Sequence, residues 1–173
     1  LKKKKATGIK GDNLTSILCC TYCGNTLLCG SQKGKLLVLP GTQVTKSLKA
    51  HTAAVNSIIT RDGDSGFITG GADGMIFIWD TKYNITSRLS IKGDEVMSLN
   101  PKVRSVDEDS SGNILVGTRG GEIIEIVNGV PNILLRGHFD EELWGLCVHP
   151  TENIFYTVGE DKLLGIWDVK TRK

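Results

Sequence analysis

Short apolar runs recur along the whole chain, broken by clusters of Gly, Asn, Asp and Ser. The runs fall at 14–20, 26–31, 35–39 and 44–48, then at 55–60, 66–70, 75–79 and 85–90. They continue at 104–108, 114–118, 122–127 and 133–136, and finally at 143–149, 154–158 and 163–167. Each is short, carries β-branched residues and is bounded by turn formers, which predicts a strand. Asp62-Gly63-Asp64-Ser65-Gly66, Ser110-Ser111-Gly112-Asn113 and Pro150-Thr151-Glu152-Asn153 read as hairpin turns, because Gly and Asn accept positive φ. No segment holds apolar residues at i, i+3, i+4 and i+7 over three turns, so the pattern excludes a helical fold. The 21 glycines and only four prolines suit an all-β chain with many turns.

Four polar residue types repeat inside this pattern. His51, Thr69, Asp73 and Trp79 recur in the same order as His138, Thr157, Asp161 and Trp167. Thr to Asp spans four positions in both copies and Asp to Trp six, while His to Thr spans eighteen and nineteen. Both copies close on Trp-Asp. With these copies as rulers, two fainter ones appear: 34–40 lines up with 74–80, forty positions on, and 121–126 lies forty-seven further along. In these, Leu39 and Ile126 stand for Trp, Cys29 and Val116 for Thr, Lys33 and Gly120 for Asp, and neither has the His. Apolar residues fill the same space without a polar network.

A period in the forties closing on Trp-Asp resembles the WD repeat, one blade of a β-propeller. That resemblance implies about four blades of four-stranded antiparallel sheet, with repeats at 11–49, 50–92, 93–136 and 137–173. It also implies that each quartet forms a hydrogen-bond chain within a blade. The order Trp to Thr to His to Asp satisfies every group, since the indole only donates, the carboxylate only accepts, and Thr and neutral His do both. A catalytic His–Asp pair, as in a hydrolase, is the competing reading, but enzymes rarely repeat their active site. The fourth repeat stops after its third strand. Closed propellers use about four to eight blades, so the chain is expected to be part of a larger propeller, or to be completed by a second chain.

One stretch is more particular. Gly137-His138-Phe139-Asp140-Glu141-Glu142-Leu143-Trp144-Gly145-Leu146-Cys147-Val148-His149-Pro150 resembles the G-H-x-(D/E)-x-E-L-W-(G/A)-L-x-x-H-P signature of the echinoderm microtubule-associated protein-like family. Val103-Arg104-Ser105-Val106 followed by 114–123, and Thr69-Gly70-Gly71-Ala72-Asp73-Gly74 leading to Ile78-Trp79-Asp80, resemble the same family. The resemblance spans roughly residues 50–168. It implies a cytoplasmic, cytoskeletal scaffold without catalysis, binding tubulin or microtubules. The loop Asp140, Glu141 and Glu142 is the candidate partner contact, and Trp144 is expected to pack within its blade. That family's hydrophobic Glu-Leu-Pro motif and N-terminal coiled coil are not in this chain. An adaptor recruiting substrates to another machine, such as a ubiquitin ligase, shares the fold and differs only in partner.

Charge and cysteines alter this little. The net charge is +2, but Lys2, Lys3, Lys4, Lys5 and Lys10 supply five positive charges and leave −3 elsewhere. No stacked aromatics accompany the lysines, so nucleic acid is not expected as a partner, and a solvated loop is the simpler reading. No apolar stretch approaches the roughly 18 residues of a membrane span. Five cysteines, an odd number without a secretory leader, suggest reduced thiols. Cys20-x-x-Cys23 is half a zinc site, and no second pair lies at matching spacing. Cys19, Cys29 and Cys147 lie in apolar runs and are expected to be buried small hydrophobes. The expectation is therefore no metal, no cofactor and no catalytic residue.

Overall fold

The computed structural model describes residues 16–41, 43–92, 98, 100–138 and 142–171. These residues fold into four antiparallel sheets in chain order. The first holds β1 (Ile17–Cys23), β2 (Thr26–Ser31), β3 (Lys35–Leu39) and β4 (Lys46–Lys49). The second holds β5 (Val55–Thr60), β6 (Phe67–Gly71), β7 (Met75–Trp79) and β8 (Ile85–Ser90). In the third lie β9 (Val103–Glu108), β10 (Ile114–Thr118), β11 (Glu122–Val127) and β12 (Val130–Arg136). The fourth has three strands among the described residues, β13 (Leu143–Val148), β14 (Ile154–Gly159) and β15 (Leu164–Asp168). Each is a simple meander, with sequence neighbours paired. The fold is an all-β open array of propeller blades.

Two strands differ most from the sequence pattern. The first runs three residues past the end of the run at 14–20, because Cys23 pairs with Thr26 and places the turn at Gly24-Asn25. Gly24 has φ 55°, which suits the first position of a two-residue hairpin turn. The twelfth strand starts at Val130, ahead of the expected 133, after a turn at Asn128 (φ 52°) and Gly129 (φ 81°). Pro131 sits within it, opposite Ile126. β12 is an edge strand, where a missing N–H leaves no gap in the ladder.

Apolar cores lie between the blades. Leu28, Leu36, Val38, Val55, Ile58, Phe67 and Trp79 are buried between the first and second sheets. Ile68, Ile76, Val103, Val106, Val116, Ile124 and Ile126 are buried between the second and third. Phe67 and Ile68 are both 0% exposed on opposite faces of β6, so this blade is buried on both sides and its strands read as continuous apolar runs. Close approach is built on small residues. A Cβ at Gly30 would meet Val55 at 2.7 Å, and one at Gly70 would meet Val103 at 2.5 Å. Glycine at this register therefore lets the first strand of the next blade lie flush.

Polar links reinforce the two inner junctions. Thr21 and Thr60 share a 3.0 Å hydroxyl hydrogen bond between blades 1 and 2. Asn56 Nδ2 donates to Val103 O at 2.6 Å, and the Val106 amide donates to Ser57 Oγ at 3.2 Å. At the far end of the same junction, Arg61 grips Glu108 through Nε at 3.0 Å and Nη2 at 2.7 Å. Two planar N–H donors on one carboxylate fix orientation as well as charge.

The first strand of every blade carries a β-bulge at the same register, at Leu18, Asn56, Arg104 and Trp144. A bulge adds one unpaired residue and re-aims its side chain. Trp144 is 68% exposed rather than packed within its blade. Leu143, Leu146 and Val148 beside it are exposed as well. Among the cysteines, Cys29 is buried, Cys19 is half-buried and Cys147 is exposed, so the expectation of burial fails for Cys147. It faces outward opposite Tyr156 on the apolar surface of the fourth sheet.

Candidate functional site

In each strong repeat the histidine precedes the first strand, Thr lies on the second, Asp in the turn after it and Trp on the third. Antiparallel pairing brings them together at one end of the blade. In blade 2, Trp79 Nε1 donates to Thr69 Oγ1 at 3.0 Å, and Thr69 Oγ1 lies 2.9 Å from His51 Nε2. His51 Nδ1 lies 2.9 and 3.2 Å from the Asp73 carboxylate oxygens. The directions follow from the donors. The indole can only donate, so Thr69 spends its own proton on Nε2, and Nδ1–H then donates to Asp73. His51 is 2% exposed and Thr69 0%. Phe77 stacks on the His51 ring at 4.6 Å.

Blade 4 repeats the geometry. Trp167 Nε1 donates to Thr157 Oγ1 at 2.6 Å, Thr157 lies 2.8 Å from His138 Nε2, and His138 Nδ1 lies 2.9 and 2.8 Å from Asp161. Phe155 stacks on Trp167 at 6.1 Å, as Phe67 does on Trp79 at 5.5 Å. The imidazole rests over glycine in both: a Cβ at Gly159 would lie 2.8 Å from His138 Nδ1, and one at Gly71 would overlap His51 Nδ1.

The carboxylate does more than hold the ring. Asp73 also accepts from the Thr52 amide at 2.8 Å, the Thr52 hydroxyl at 3.2 Å and the Met75 amide at 3.2 Å. It thus ties the loop entering the blade to its own turn. Burial works against the charged form, but the bonds from His51, Thr52 and Met75 outweigh it and lower the group from 3.8 to about 2. A folded value below the unfolded one gives stability that is complete above the unfolded value and lost as pH falls through the folded one. Relative to Asp73→Asn, the parent chain is therefore expected to lose roughly 2 kcal/mol of its advantage between about pH 5 and pH 2. Urea unfolding of both chains across that range checks it.

The weak repeats manage differently. In blade 1, Cys29, Leu37 and Leu39 form a small buried apolar cluster. Val116 and Ile126 are buried in blade 3, but that blade also has a polar pair that the sequence reading missed. The Thr118 hydroxyl donates to Glu122, the Glu122 amide donates back to Thr118 Oγ1 at 3.2 Å, and Glu122 is 4% exposed. A Glu four residues after a strand-ending Thr was the available signal. The Asp of Trp-Asp also has a task. Asp80 accepts from the Lys82 and Asn84 amides at 2.8 Å, and Asp168 from the Lys170 and Thr171 amides at 2.8 and 2.6 Å. Asp109 binds Ser111 and Asn113 in the same way. Hydrogen bonds from Asn84, side chain and amide, hold the Asp80 carboxyl below its ordinary value.

Of the candidate contact loop, Glu142 is described and exposed, while Asp140 and Glu141 lie outside the described residues, as do the N-terminal lysines. No cluster of metal-ligating side chains occurs among the described residues. No helix among them is long and apolar enough to cross a membrane.

The class these sheets and quartets define is the WD-repeat β-propeller. The family model described as "WD domain, G-beta repeat" matches residues 42–80 and 129–168, the stretches that hold the two Trp-Asp closures. The WD40 β-propeller domain of Doa1 superposes with a TM-score of 0.53 at 19% identity, covering 89% of this chain and 50% of that one, a likeness of fold. More particularly, the chain is similar in sequence to the echinoderm microtubule-associated protein-like proteins. It is 31% identical over 181 residues to echinoderm microtubule-associated protein-like 2 of Mus musculus, covering 100% of this chain and 26% of that protein. It is 32% identical over 174 residues to the ciliary WD repeat-containing protein ctxp80 of Euplotoides octocarinatus, covering 99% and 23%. The 77 kDa echinoderm microtubule-associated protein of Strongylocentrotus purpuratus is 27% identical over 178 residues, covering 100% and 25%. The chain thus spans about a quarter of the length of these relatives.

Proposed function

We propose that this chain is a noncatalytic interaction scaffold within a cytoskeletal, microtubule-associated protein, with each of the four sheets forming one repeat. The observation that carries the noncatalytic part is saturation of the quartets. Every polar atom of His51, Thr69 and Trp79 is spent inside the blade, and catalysis needs a base within reach of a substrate proton. The quartets then act as locks that hold loop and turn in register, so that the loop face is presented rigidly. A rigid face loses less freedom on binding a partner.

Tubulin or microtubules are the partner this reading favours, on the strength of the names its relatives carry. The loop after His138 is the contact we assign. Glu142 is exposed there, with Leu143 and the bulged Trp144 exposed directly after it, and indole rings are enriched where interfaces concentrate their energy. Co-sedimentation of the full-length protein with stabilised microtubules at moderate salt tests the proposal. Pelleting is expected, weakened at least several-fold by a paired Glu142→Lys and Trp144→Ala substitution that leaves the circular dichroism intact. A protein that stays in the supernatant removes tubulin as partner.

A further inference from the structure

The first sheet sorts its thiols by face. Cys19, Thr21 and Cys23 of β1 point toward blade 2: Cys19 Sγ donates to Val55 O at 3.3 Å, and Cys23 Sγ lies 3.9 Å from Gly66 O. Cys20 points the other way and is exposed. Directly opposite it on β2 is Cys29, which takes the place that Thr69 and Thr157 hold in the strong repeats and packs beside Leu37 and Leu39.

The register fixes what kind of pair this is. Cys23 and Thr26 flank the two-residue turn and exchange hydrogen bonds. The pairs then alternate, with Tyr22↔Leu27 open, Thr21↔Leu28 bonded and Cys20↔Cys29 open. In an open antiparallel pair the Cα atoms stand about 4.5 Å apart and the side chains are closest, which falls within the roughly 4.4–6.8 Å span that a disulfide bridges. All five thiols are reduced in the structure.

We propose that Cys20 and Cys29 form a reversible cross-strand disulfide, with the exposed Cys20 as the entry point for a small-molecule disulfide such as oxidised glutathione. The Cys20 thiolate attacks one sulfur of the oxidant, forming a mixed disulfide and releasing one glutathione thiolate. The Cys29 thiolate then attacks the Cys20 sulfur and releases the second. Two protein thiols lose two electrons and two protons, and one oxidised glutathione becomes two reduced ones. Burial, aided by the neighbouring Cys20, raises the Cys29 thiol, so the second step is the slow one and the mixed disulfide accumulates first. Burial also pushes Cys19 up to about 11, which keeps that thiol out of the exchange. β1 is a sheet edge, and an exposed bond at the short end of the range is readily reduced again.

The test is mass spectrometry and thiol titration, after exposure to oxidised glutathione, of the full chain carrying Cys147→Ser, which removes the other exposed thiol. The intact mass is expected to pass through one glutathione adduct and end two hydrogens lighter, with two of the four remaining thiols lost and all four restored by dithiothreitol. Added to that background, Cys29→Ala should stop at the adduct, and Cys20→Ser should form neither product. Cys19→Ser and Cys23→Ser should each still reach the disulfide. An internal bond that persists in Cys20→Ser or Cys29→Ala, or a parent chain that never loses two hydrogens, would overturn the pairing. Circular dichroism of each reduced variant confirms that the sheet is intact.

Discussion

Thr69→Val is expected to destabilise the chain by about 2–6 kcal/mol although it changes almost no volume, because it orphans two buried polar groups at about 1–3 kcal/mol each. Thr69 is the hub of the blade 2 quartet: its oxygen accepts from Trp79 Nε1, and its proton goes to His51 Nε2. Valine keeps the β-branched shape that β6 requires but offers neither function. Both orphans lie in space that water does not reach, since His51 is 2% and Trp79 3% exposed. Thr69→Ser, which keeps the hydroxyl, should recover most of the loss. Thr157→Val should cost less, because the His138 side chain retains some exposure and water can serve it. Urea unfolding of the four chains measures the order. Equal stability of Thr69→Val and its parent would mean that the quartet contributes nothing.

Phe67→Ala is the second large effect, about 3–5 kcal/mol, from lost apolar contact and the cavity left behind. Phe67 is fully buried, stacks on Trp79 at 5.5 Å and reaches Tyr83 at 6.3 Å. Removing it empties the wall that holds the indole against Thr69, so the packing and polar losses are coupled. A Phe67→Ala and Thr69→Val double variant should therefore lose less than the two single losses together. Phe155, its half-buried counterpart against Trp167, should be less sensitive. Thermal midpoints of both alanine variants check the ranking.

The first of these effects falls on a quartet whose importance can be read from spacing alone. His51, Thr69, Asp73 and Trp79 and their second copies are legible because one hydrogen-bond chain imposes four residue types at fixed register, and their joint repetition stands out in a single sequence. The strands are legible because alternation and turn formers mark them. What stays hidden follows other physics. Gly24-Asn25 sets the first hairpin three residues beyond the apolar run, and Pro131 reads as a breaker although it lies on an edge that tolerates it. Trp144 looks like a core residue from its neighbours, but it is exposed together with Leu146 and Val148, and no apolar cluster among the described residues includes this strand. Bulges follow from the count of residues on two facing strands, and no apolar pattern reveals them. The Thr118–Glu122 pair occurs once, so no repetition exposes it. The Cys20–Cys29 pairing depends on a turn position that apolar patterning misplaces.

The central claim is that the histidine–aspartate pairs are structural locks. It rests on a specific proton arrangement, with Nδ1–H of His51 donating to Asp73 and bare Nε2 accepting from Thr69. Long-range proton–nitrogen correlation spectroscopy of the His51 ring at neutral pH reads that arrangement directly. A lock predicts the Nδ1–H tautomer, with its proton exchanging slowly with water. A proton on Nε2, or a ring whose protons exchange freely with solvent, would contradict it.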